Sequence, residues 1–171
     1  MFRSFSLDGS APRPDMGGMT IDATLAELGH VLPQAAAPVA AYVPTVEVGG
    51  LLHVSGQLPF LDGALMTGRV GEDRDEDYGR LAAERCGLMI LAQAKAALGS
   101  LDRIERVVKL GVFVNSAGAF TGQPKIANGA SELMVAVFGE AGKHARSAVG
   151  VPVLPLGAVV EIDAILAVRP A

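Results

Sequence analysis

Tryptophan is missing altogether and only 5% of the residues are aromatic, which leaves little from which to build a stacking platform for bases or sugars. A single cysteine, Cys86, excludes an internal disulfide framework. With three scattered histidines there is no Cys/His cluster at zinc-binding spacing, so no zinc site is expected. One unmatched thiol points to a reducing, cytoplasmic compartment. Basic runs are absent. Fourteen Lys and Arg against 18 Asp and Glu give a formal net charge of -4, with no electrostatic footprint for nucleic acid. No apolar stretch reaches the length of a membrane span. The opening "MFRSFSLDGSAPRPDMGGM" lacks the apolar centre of a signal peptide.

What is present reads as one globular domain. The chain has 171 residues and half of them are hydrophobic, enough for a sizeable core. Residues 1–18, rich in Gly, Pro and Ser and without a period, are expected to be a disordered N-terminal extension. Met16 or Met19 is then an alternative start, and removing the extension should leave folding and assembly unchanged. A single domain over residues 19–171 would carry an extra leading helix, "IDATLAELG". There Thr20 is the N-cap, Ile21, Leu25 and Leu28 form one stripe, and Gly29 terminates it.

Two strand-like runs, "YVPTVEV" and "LLHVSGQLP", flank Gly49-Gly50, a hairpin signal; Pro44 predicts an edge position or a bulge. After a Gly-rich turn region, the segment 74–100 is the clearest helix. Asp75, Glu76 and Asp77 sit in its first turn, and Tyr78, Leu81, Ala82, Leu88, Met89 and Ala92 mark its apolar side. Gly79 and Gly87 are expected to let it pack closely on a sheet. "IERVVKLGVFVN" alternates as a strand. A second helix runs from about Gln123 to Phe138, with Pro124 tolerated in its first turn. "ARSAVGV" and "AVVEIDAILAV" are the closing strands. The order β-β-α-β-α-β-β is an α+β pattern, a mixed β-sheet with two helices packed on one face. The last strand is apolar on both faces, so the uncovered face predicts oligomerisation.

Arg146 and Glu161 stand out in those closing strands, where all else is small or apolar. A buried charge without a partner is costly, so each should pair or perform a task. A guanidinium can grip a carboxylate through two parallel bonds. Equally, Arg146 could form a structural pair with Glu161 or Asp163. Glu161 could orient or activate water, or could serve only as the partner of Arg146 or of a backbone amide. Asp163 shares its face two residues on and reads as structural. His144 lies close to Arg146, whereas His30 and His53 read as ordinary helix-end and strand residues. Cys86 reads as a buried small hydrophobe.

Three segments in this order carry a resemblance: "AYVPTVEVGGLLHVSGQLP", "VVKLGVFV" and "ARSAVGVPVLPLGAVVEIDAI". Together they resemble the RidA (YjgF) family, over roughly residues 39–168. The resemblance implies a chorismate-mutase-like fold and a homotrimer with a site in each cleft between subunits. It also implies hydrolysis of reactive enamines and imines of small amino acids to a 2-keto acid and ammonia, without metal or cofactor. Carried over by motif, Arg146 would hold the carboxylate of a small metabolite, and Glu161 would position or activate water. Tyr42 and Ser55 would line the cleft, and Gly56, Ser147 and Ala148 would contact ligand. Ala148 replaces a cysteine found in many members. The segment from Phe120 to Arg146 is longer than usual, and Asn128 is the candidate for a helix asparagine. A non-catalytic 2-keto-acid binding or sensing protein is the alternative. A ribonuclease or translation-inhibitor role, also attached to the family, fits poorly with an acidic chain.

Overall fold

A computed structural model describes residues 18–35 and 42–170. The expected extension, including Met16, lies outside these residues apart from Gly18. Short leading helix α1 (Ile21–Glu27) is capped by Thr20, whose side chain accepts from the Ala23 amide. Its Ile21 amide donates to Asp102 Oδ1 at 3.0 Å and its Asp22 pairs with Lys95 of the next helix. Strands β1 (Thr45–Val48) and β2 (Leu51–Gln57) form the hairpin at Gly49-Gly50, both with positive φ, the conformation that glycine adopts without penalty. β1 is an edge strand, and Pro44 sits just ahead of it.

A second, two-stranded hairpin follows, β3 (Phe60–Leu61) and β4 (Ala64–Leu65), turning at Asp62-Gly63. Helix α2 (Glu76–Leu98) starts at Asp75, which accepts from the Tyr78 amide, and stops at Gly99. Strand β5 (Ile104–Asn115) leads to helix α3 (Gln123–Phe138), then β6 (Ala145–Val151) and β7 (Val160–Val168). The sheet order is β1-β2-β7-β5-β6; β5 and β6 are parallel and the other pairs antiparallel. Helices α2 and α3 cover one face. The core lies between them and the sheet, around Leu52, Val54, Leu91, Leu110, Val112, Ile126, Met134, Ile162 and Leu166. The mixed α+β sheet with helices on one side is therefore the observed architecture.

Two expectations change. Gly79 and Gly87 do not face the sheet: a Cβ at either would press on Ile126 or Leu133 of α3, within 2.9 Å. Gly129 answers from the other side, where a Cβ would stand 2.0 Å from the Arg80 carbonyl oxygen. Small residues thus let two helix backbones approach each other. Leu81, placed on the apolar side from spacing, is exposed. No helix among the described residues is long and apolar enough to cross a membrane.

The face away from the helices has no cover among the described residues. Its register rows can be read across the sheet: Val46, His53, Ile165, Lys109 and Ala145 form one. Asp163, Gly111 and Ser147 form the next, and Glu161, Phe113 and Val149 the third. Val46, Val48, Phe113 and Val149 are exposed there.

Candidate functional site

Arg146 lies on β6, an edge strand, in the row of Leu110 and Ala164, whose side chains are buried against the helices. Its guanidinium therefore turns to α3. Nη1 donates to Asn128 Oδ1 at 3.0 Å and to Ser131 Oγ at 2.9 Å, and Nη2 donates to the Pro124 carbonyl at 3.2 Å. Arginine has five N–H groups. These contacts engage both hydrogens on Nη1 and one on Nη2, leaving the Nε hydrogen and the second Nη2 hydrogen without a partner among the described residues. Asn128 has a defined role here, as an acceptor for the arginine. Ala148 shares this face and packs on the core.

Glu161 is elsewhere. β6 and β7 are not neighbours, because β5 runs between them. Glu161 belongs to the open face, so within one chain the two residues point to opposite sides of the sheet. The structural pair of Arg146 with Glu161 or Asp163 does not form. The physical reason is the parallel β5–β6 pairing, which sends the closing strand back on the far side of β5.

The surroundings of Glu161 disfavour its charged form. Burial, and secondarily the negative charge of Asp163, raise its pKa above the ordinary glutamate value. Its carboxylate lies over Gly56: a Cβ there would come within 1.9 Å of Oε1. Asp163 lies over Gly111 in the same manner, at 2.0 Å. Two glycines on strands flanking β7 thus make room for two carboxylates on one face.

Gly56 belongs to a bulge, with the β2–β7 register shifting between Val54 and Gln57. Gln57 fixes this bulge. Its side chain is buried, and Nε2 donates to the Ser55 carbonyl at 3.0 Å and the Gly56 carbonyl at 3.2 Å. Gln93 of α2 donates in turn to Gln57 Oε1 at 3.4 Å. The Ser55 amide is also used, donating to the Pro44 carbonyl at 3.0 Å. That bond ties the segment carrying Tyr42, itself half exposed, to the bulge. Gln57 is a site residue not expected from the sequence, where its one signal is a glutamine at a core-facing strand position.

The predicted residues therefore form two groups. Arg146 and Ala148 sit with Asn128 and Ser131 between β6 and α3. Glu161, Ser55 and Gly56 gather at the β2–β7 bulge, with Tyr42 ahead of β1. Ser147 is exposed on the open face, in the row of Asp163 and Gly111. Among the described residues no group of three His, Cys, Asp or Glu could hold a metal ion. The chemistry available is one oriented cation and one carboxyl group with a raised pKa.

Comparison with known proteins places this arrangement in context. A family model described as "YjgF/chorismate_mutase-like, putative endoribonuclease" matches residues 22–166. Protein TCP17 of Trypanosoma cruzi is 54% identical over 148 residues, 85% of this chain and 92% of that protein. The crystal structure of Atu1372 from Agrobacterium tumefaciens, of unknown function, is 49% identical. It covers 88% of this chain and 94% of its own, with a TM-score of 0.81. RidA from an Antarctic Psychrobacter is 34% identical, covering 79% and 94%, with a TM-score of 0.55.

Proposed function

Because the chain belongs to the YjgF/chorismate-mutase-like family, we propose that it hydrolyses enamine or imine forms of small amino acids to 2-keto acid and ammonia. The site is a cleft between copies of a homotrimer. The observation that carries this reading is the division of the residues. Arg146, with two N–H groups left over, and Glu161, with a raised pKa, face opposite sides of one sheet. A ligand touching both must lie between two chains. The uncovered sheet face, with Val46, Val48, Phe113 and Val149 exposed, supplies the apolar surface for such assembly.

In this cleft the Arg146 guanidinium grips the substrate carboxylate, and Asn128 and Pro124 hold the guanidinium in place. Water adds to the imine carbon while the Glu161 carboxylate takes one of its protons and passes it to the imine nitrogen, giving an amino alcohol. The hydroxyl proton then travels by the same carboxyl group to the amine nitrogen, the C–N bond breaks, ammonia leaves, and the carbonyl of the 2-keto acid forms. A raised pKa suits Glu161 to both halves, since a more basic carboxylate accepts the proton more readily and its acid form hands it back. Ser55 and Gly56 wall the water side, and Tyr42 reaches in from the entry segment. Ala148, on the same face as Arg146, borders the carboxylate, and Ser147 contributes its backbone there. Positioning supplies much of the acceleration, because a bound imine next to one oriented water needs little further help.

The test couples an amino-acid oxidase, which makes imines, to detection of ammonia release or imine capture. Wild-type protein should accelerate hydrolysis over the uncatalysed rate, and Arg146→Ala should abolish this while assembly persists. Saturable 2-keto-acid binding with no acceleration would instead make the protein a binder or sensor.

A further inference from the structure

Asn128 and a backbone carbonyl do not hold Arg146 alone. Ser131 Oγ accepts from Arg146 Nη1 at 2.9 Å and stands 3.0 Å from His144 Nε2. The other ring nitrogen, Nδ1, lies 2.6 Å from the Gly142 carbonyl oxygen. A carbonyl oxygen only accepts, so Nδ1 carries the proton. In the neutral ring Nε2 is then a lone pair, and the Ser131 hydroxyl must donate to it. That turns the Ser131 lone pairs toward Arg146. The relay has one direction throughout: Arg146 donates to Ser131, Ser131 to His144, and His144 to Gly142.

We propose that Ser131 and His144 are positioning residues for Arg146, and that protonation of His144 releases the grip. This rests on the reading of Arg146 as the carboxylate clamp. A proton on Nε2 converts an acceptor into a donor. Ser131 would then receive two cationic donors on one oxygen, and its own hydrogen would have neither as a target. Two positive charges would share a half-buried corner.

The surroundings favour the neutral ring. Burial is the main cause lowering the His144 pKa below its ordinary value; the Gly142 carbonyl opposes this and the charge of Arg146 adds to it. The other charged groups of this corner offer the ring little compensation. Lys143 pairs with Glu140 at 2.6 Å, and Arg106 of β5 donates to the Lys143 carbonyl at 3.4 Å. Lys109 of β5 stands opposite Ala145 in register. Glu132, next to Ser131, is bound by Arg80 of α2. Both carboxylates, Glu140 and Glu132, are thus engaged by other cations.

The experiment uses the full chain, with pyruvate as the probe. Long-range proton–nitrogen NMR should find the His144 ring as the Nδ1–H tautomer at pH 7.5, with a titration midpoint below 6.5. Arg146→Ala should raise that midpoint. Pyruvate affinity in the wild type should fall as pH drops through it. His144→Gln keeps an acceptor that does not titrate, so this acid loss should disappear. Ser131→Ala should weaken pyruvate binding roughly threefold to tenfold at pH 7.5, the scale of one hydrogen bond. An Nε2–H tautomer, a midpoint unmoved by Arg146→Ala, or an acid loss that survives His144→Gln would overturn the relay. Absence of pyruvate binding by the wild type at every pH would overturn the clamp reading itself, which the His144 midpoint distinguishes.

Discussion

Gly56→Ala separates the geometry of Glu161 from the stability of the fold. A Cβ at position 56 would lie 1.9 Å from Glu161 Oε1 and 2.8 Å from Cδ. Ordinary van der Waals contact requires the carboxylate to retreat by about 1.5 Å. The atom in the way is the far end of a flexible side chain, so the retreat is a rotamer change costing about 0.5–1.5 kcal/mol. Gly56 does not use the left-handed backbone region, so alanine there also restricts the unfolded chain, stabilising by about 0.4–1 kcal/mol. These terms nearly cancel, and Tm should change little. Catalysis should not be so tolerant, since a displacement of about 1 Å in a reacting group can cost about a hundredfold. Gly118→Ala is the control: nothing lies within 4 Å of its Cβ position. The assay is kcat/KM for imine hydrolysis beside Tm for each variant. A Gly56→Ala protein with wild-type turnover would refute the role assigned to Glu161.

Three further outcomes follow from burial and packing. Because the folded pKa of Glu161 is raised, the native state holds its proton more tightly than the unfolded chain. Its contribution to stability is full below the unfolded value, near 4.5, and is lost as pH rises through the folded value. Glu161→Gln should therefore be more stable than wild type at pH 7.5, with the gain shrinking toward pH 4; thermal melts at both pH values check this, and a loss at pH 7.5 would contradict it. Burial, aided by the charge of Glu161, pushes the Cys86 thiol far above its usual range, so native protein should not react with a thiol reagent at pH 8 until unfolded. Gly129→Ala drives a Cβ to 2.0 Å from the Arg80 carbonyl oxygen, a backbone atom that cannot swing away. It should cost about 1–3 kcal/mol or more, at about 2–4 °C of Tm per kcal/mol for a chain of this size.

The elements were legible because their signals are local. Thr20 caps the first helix as its chemistry requires, Gly49-Gly50 turns the first hairpin, and Asp75, read as part of the first turn of the second helix, is in fact its N-cap. Asp62-Gly63 carried a comparable hairpin signal but was absorbed into a Gly-rich turn, hiding β3 and β4. What local patterns did not reveal was strand order. β6 and β7 are consecutive in sequence, and only the parallel β5–β6 pairing places β5 between them. Hence Arg146 and Glu161 could be named from their surroundings but not set on opposite faces. The glycines taught the same lesson: spacing marked Gly79 and Gly87 as contact points, while their partner, α3 rather than the sheet, depended on tertiary packing. Gln57 and Ser131 went unnoticed because their importance lies in partners 36 and 15 residues away, Gln93 and Arg146.

Complementation tests the composite site most directly. Arg146→Ala and Glu161→Gln chains should each be nearly inactive alone. Unfolded together and refolded as mixed trimers, they should recover activity, because a site built from Arg146 of one chain and Glu161 of the next can be intact in a mixed assembly. Random mixing in a closed ring leaves about one site in four with both native residues, so about a quarter of wild-type turnover is expected. Mixed trimers that form but stay as inactive as either parent would contradict a site shared between chains.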